Sequence, residues 1–150
     1  MAEYKQYVNL LLNDEKYGID IMDIKEILRM LDITKVPKAP SFVEGIINIR
    51  GKVIPIVDLR KKMGIPANEF TNSSRIIVVN LNGKQVGFIV DQVEEVLRVD
   101  GDLVDKAPAA STSVDNRYIK GVARLQTGMV IILDVHEIFG RNEASALSMF

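Results

Sequence analysis

The chain has 150 residues, 47% of them hydrophobic, which suits one packed domain or two very small ones. Nineteen Lys and Arg stand against twenty Asp and Glu, so no general attraction to nucleic acid or anionic lipid is built in, and the lack of cysteine removes disulfides and thiolate metal sites. No apolar run approaches the roughly twenty residues of a membrane helix. Ala2 to Lys5 leads directly into an amphipathic segment rather than a signal peptide, so the expectation is a soluble, cytoplasmic protein with no membrane insertion.

In chain order, Tyr4 to Leu12 reads as a strand, Asn13-Asp14-Glu15 as a turn and Lys16 to Asp20 as the returning strand. Asp20 is placed to cap a helix, with Asp23 in the first turn and Ile24, Ile27, Leu28 and Leu31 at the spacing of one apolar face. A weak alternation through Ile19, Ile21, Asp23 and Lys25 leaves a strand open as the alternative. Ile33 to Val36 is a short extended piece, and Pro37 and Pro40 enforce an irregular connection. Ile46, Ile47 and Ile49, the turn Arg50-Gly51, and then Val53, Ile54, Ile56 and Val57 make a β-hairpin with an accessible tip. Pro55 cannot donate a ladder hydrogen bond and requires an edge or a bulge at that point. Asp58 is placed to cap a helical turn, Leu59 to Gly64, which Gly64 and Pro66 stop; 65–74 reads as a linker.

Arg75 to Leu81, the turn Asn82-Gly83 and Gln85 to Val90 form a second strong hairpin signal. Ala107 to Asp115 reads as a loop, Tyr118 to Leu125 and Met129 to Asp134 as a final hairpin, and Val135 to Phe139 as a terminal helical turn with Asp134 as its cap. Two overlays show a duplication. Gly121 to Gly140 repeats Gly45 to Gly64 at an offset of 76, and Val86-Gly87-Phe88 onward repeats Tyr17-Gly18-Ile19 onward at 69. The extra seven residues fit the Ala107 to Asp115 loop. The reading is a single, mainly antiparallel β domain over 1–150. Its first repeat spans about 5–64 and its second about 75–140, as two small barrels sharing hydrophobic surface.

Motifs for nucleotide, zinc or redox chemistry are missing, so no enzyme class gains support and no cofactor is expected. His136 is the only histidine; its counterpart is Arg60, so the slot suits a polar surface side chain. Asp20, Asp23 and Glu26 read as a solvated helix face rather than a cation site. Four Tyr and five Phe are scattered with no basic stripe, which discounts nucleic-acid binding. What does not persist between the repeats is the first hairpin's polar tip: Asn48, Arg50 and Gly51 become Arg124, Gln126 and Thr127. A guanidinium there suits a carboxylate or carbonyls of a partner, although an ordinary solvated turn is an equally open reading.

The stretch GIINIRGKVIPIVDLR, with the upstream KVPKAPSFVEG, resembles the CheW family of bacterial chemotaxis coupling proteins, and the likeness extends from about Tyr4 to Phe139. Pro37, Pro40, Gly45, Asn48, Arg50, Gly51, Pro55, Asp58, Leu59 and Arg60 carry its spacing. The resemblance implies two SH3-like, five-stranded β-barrel subdomains sharing a core, with short helices. It also implies a non-catalytic adaptor that links chemoreceptor cytoplasmic tips to the regulatory domain of the histidine kinase CheA. Family positions for receptor binding fall on Ile24, Glu26, Gly45, Arg50 and Gly51, to which the tip reading adds Asn48. The same module occurs fused to receiver domains and in the kinase itself, and the Met start without receiver-like alternation favours the stand-alone coupler. Alternatives are a CheW-like scaffold for another two-component pathway and a small nucleic-acid-binding barrel.

Overall fold

A computed structural model describes residues 4–67, 69–105 and 116–139. The strands are β1 (Tyr4–Leu12), β2 (Glu15–Asp20), β3 (Ile24–Arg29), β4 (Val43–Ile49), β5 (Lys52–Asp58), β6 (Arg75–Leu81), β7 (Lys84–Val90), β8 (Gln92–Asp100), β9 (Val104–Asp105), β10 (Ile119–Leu125) and β11 (Gly128–Leu133); α1 (Leu59–Met63) follows β5. The Ala107 to Asp115 loop and Gly140 lie outside the described residues.

The expected helix after Asp20 is instead a short 3-10 turn, Ile21–Asp23, followed by strand β3. Asp20 does cap, its side chain accepting from the Met22 N–H at 2.9 Å, but the cap opens one turn only. Along β3 the more covered positions are Ile24, Glu26 and Leu28, and Ile27 is left half-exposed. The alternation is that of a strand, hidden in the sequence because a carboxylate occupies one covered position. Val135 to Phe139 is likewise not a helix: Asp134 accepts from the His136 N–H at 3.1 Å and the Glu137 N–H bonds back to its carbonyl, which makes a turn. Asp58 caps α1 as expected, through the Arg60 N–H at 3.1 Å, and Gly64 ends it with its N–H toward the Arg60 and Lys61 carbonyls.

The strands form two sheets, ordered β8-β1-β2-β11-β10-β9 and β3-β6-β7-β5-β4. The opening hairpin of each repeat therefore lies in a sheet completed by the later strands of the other repeat. Two short parallel ladders join the parts, Ile131↔Tyr17 with Ile132↔Gly18, and Ile56↔Gly87 through Asp58↔Ile89. The first sheet has six strands where five were expected. Its sixth, β9, corresponds to the single bridge Thr34↔Ile46 beside the second sheet.

Burial explains the near-continuous apolar strands. In β6, Ile76 and Val78 face a core inside the second sheet with Ile47, Ile54, Ile56 and Ile89, while Ile77 and Val79 face the opposite way. The first sheet encloses Tyr7, Val99, Ala123, Val130 and Ile132. Between the sheets lies the largest core, where Leu10, Leu12, Tyr17 and Ile19 meet Val57, Ile77, Val79 and Phe88. Pro55 sits one residue before the parallel ladder to β7 begins at Ile56, so its missing N–H interrupts no bond there.

Candidate functional site

The β4–β5 hairpin closes on the pair Ile49↔Lys52 with Arg50 and Gly51 as its two loop residues. Both have positive φ, 51° and 81°, the signature of the primed turn whose twist matches a hairpin. Asn48 holds the turn, its Oδ1 accepting from the Gly51 N–H at 3.1 Å. Arg50 is thus held in a left-handed backbone conformation at the end of a two-stranded ribbon, with its side chain 71% exposed.

Arg50 Nη2 reaches across to Glu26 Oε2 on β3, 24 residues away in sequence. Because β3 and β4 are the two outer strands of their sheet, this ion pair spans its open seam. Gly45 seals the same seam further down. It is buried at φ +150°, and a Cβ there would stand 2.1 Å from the Thr34 carbonyl oxygen; the Thr34↔Ile46 bridge needs that close approach. Ile24 is partly buried against the shared core. The six residues singled out from sequence therefore divide: Glu26, Asn48, Arg50 and Gly51 meet at the tip, Gly45 acts through backbone below it, and Ile24 packs at the start of β3.

The second repeat's hairpin is built differently. Its loop is Gln126-Thr127, and Arg124 pairs with Asp105 of β9 at 2.7 Å instead of projecting a tip cation toward a distant strand.

Sequence reasoning misplaced Arg60. Rather than a polar surface side chain, it is 2% exposed and ion-paired, while its counterpart His136 is exposed and lies 3.2 Å from Asp23 Oδ1. Arg60 Nε and Nη2 donate to the two oxygens of buried Asp58 at 3.1 and 3.0 Å, and Nη1 donates to Asp91 Oδ1 at 2.8 Å. Asp91 accepts in turn from the Asn13 N–H at 2.6 Å, and Phe70 lies over the guanidinium at 5.1 Å. Burial acts to lower the Arg60 pKa, but the hydrogen bonds and charges of Asp58 and Asp91 outweigh it and raise it, so the cation is fixed. The network ties α1 of the first repeat to the β7–β8 junction and the β1–β2 turn. Asp91 gave no sequence signal, since its repeat counterpart is Met22.

Among the described residues no group of three or more His, Cys, Asp or Glu side chains is disposed to hold a metal ion, and no helix is long and apolar enough to cross a membrane. The CheW-like domain family model matches residues 6–143. The chain belongs to the CheW family. It is 34% identical to the chemotaxis protein CheW of Treponema pallidum, over 97% of this chain and 88% of that one. It is 33% identical to CheW of Helicobacter pylori, over 93% and 84%. The crystal structure of the scaffolding protein TtCheW from Thermoanaerobacter tengcongensis superimposes with a TM-score of 0.86 at 40% identity, covering 94% of this chain and 91% of that one.

Proposed function

We propose that this chain is a non-catalytic chemotaxis adaptor of the cytoplasm that couples chemoreceptor cytoplasmic tips to the regulatory domain of the histidine kinase CheA. The observation that carries the receptor half of this reading is the tip itself. Arg50 is exposed, set by a turn that Asn48 and Gly51 specify and steadied by Glu26, while the second repeat keeps the hairpin and lacks the arrangement. One guanidinium edge engages Glu26, which leaves further N–H donors for carboxylates or carbonyls on a helical partner. Exposed Ile27 and Leu31, on and just after the strand that carries Glu26, supply apolar contact area. Family membership, and a solved relative described as a scaffolding protein, support the kinase half.

The mechanism is scaffolding. Binding energy at two surfaces holds receptor and kinase in register, and a shift of the receptor biases the kinase's conformational equilibrium. No substrate is turned over. Arg50→Glu removes the donors and sets a carboxylate beside Glu26, so binding of a purified receptor cytoplasmic fragment is expected to weaken by about tenfold or more, with the thermal melt nearly unchanged. Wild-type affinity in that variant would contradict the assignment.

A further inference from the structure

The parallel strands β5 and β7 pair only from Ile56 and Gly87 onward, so upstream of Pro55 the β4–β5 and β6–β7 hairpins splay apart. They leave a cleft of about 390 Å³ lined by Lys52, Val53, Ile54, Gly83, Lys84 and Gln85. Antiparallel pairing alternates which backbone groups face the partner strand. With a two-residue loop, those of Val53 turn away from β4 and toward this cleft, and those of Pro55 turn to the same side, where the ladder to β7 begins. Proline, having no N–H, keeps β7 from zipping further, and the wedge stays open.

The cleft carries charge of one sign. Lys52 and Lys84 line it with no carboxylate among the lining residues and no ion pair to a described acid, and Arg50 stands two residues from Lys52. Two other clefts mix signs: Asp20 accompanies Lys5 and Arg98 in one, and Glu44, Asp58 and Glu69 accompany Arg60 and Lys61 in the other. In a chain of net charge −1, cations with no described acid paired to them flank a half-exposed Val53 and form a local complement to an acidic, partly apolar segment.

We infer that the wedge between the β4–β5 and β6–β7 hairpins is a second docking point for the receptor tip, taking an acidic side chain between Lys52 and Lys84 and an apolar neighbour on Val53. This rests on the reading of Arg50 as a receptor contact and extends that contact along the same end of the second sheet. The test is titration of the full chain with a purified receptor cytoplasmic fragment at low and high salt. It compares wild type, Arg50→Glu, Lys52→Glu/Lys84→Glu, the charge-neutral Lys52→Gln/Lys84→Gln, and a control pair on exposed lysines elsewhere, Lys35→Glu/Lys120→Glu. The expected result is about tenfold weaker binding for the double Glu variant, about threefold for the double Gln variant with a flatter salt dependence, and little change for the control. Binding of both cleft variants equal to the control, while Arg50→Glu is weak, overturns the cleft and leaves the tip reading intact. Unchanged binding in Arg50→Glu overturns the tip reading and the cleft with it.

Discussion

Arg60 shows how one buried side chain can hold a structure from within. Its guanidinium is nearly inaccessible and satisfied by Asp58 and Asp91, so replacing it with Met strands Asp58 as a buried, unpaired carboxylate. Loss of one member of such a pair costs about 3–5 kcal/mol, and urea denaturation of Arg60→Met should show a loss of that order. Tyr17 sets the alkaline limit. It is fully buried, and its pKa is raised by that burial and then by the hydrogen bond to, and charge of, Glu15. Tyr7 shifts the same way, through burial and then Asp20. Above pH 10.0, the ordinary tyrosine value, the unfolded chain loses protons that the folded chain retains. The contribution of these two tyrosines to stability is therefore constant below that pH and falls above it. Thermal melts between pH 8 and 11 should show that decline, and a Tm constant through pH 11 would contradict the burial argument.

At the scale of elements, the β4–β5 hairpin depends on two glycines for different reasons. Gly51 has open space around its Cβ position but a φ of +81°, so Gly51→Ala pays only backbone strain, about 1 kcal/mol. Gly45→Ala drives a methyl into the Thr34 carbonyl and opens the seam, with an expected loss of about 3 kcal/mol. Chemical denaturation of the two variants side by side checks the order. Gly51 and the tip were legible from sequence, because turn chemistry and β-branched runs are local signals, whereas Gly45 stood out only through its repeat counterpart Gly121 and the family resemblance, and its approach to Thr34 did not show. Strand β3 was not: Ile24, Ile27, Leu28 and Leu31 fit a helical face, and the strand alternation runs through Glu26, whose covered position makes sense only once Arg50 is seen opposite it. The buried Arg60 escaped for the same kind of reason, since its partner Asp91 lies 31 residues away.

For the whole molecule, the duplication was readable in the spacing of apolar residues and glycines, and the exchange of hairpins between repeats was not. Two similar repeats carry similar strand patterns, so sequence alone does not say whether β3 pairs with its own hairpin or with β6 of the other repeat. In the fold it pairs with β6, as β8 pairs with β1. Neither repeat can complete a sheet alone. Fragments 1–66 and 67–150 should each lack the amide dispersion of a folded β protein by NMR and regain it when mixed; a dispersed spectrum from either fragment by itself would contradict the exchange. That shared construction suits a scaffold, because the shared core and the Asp58–Arg60–Asp91 network fix the two sheets relative to each other. The measurement that tests the adaptor reading most directly is calorimetric titration of the folded protein against the purified CheA regulatory domain of the same organism. The account predicts saturable binding near one to one. No detectable heat, together with no complex by gel filtration, would contradict it.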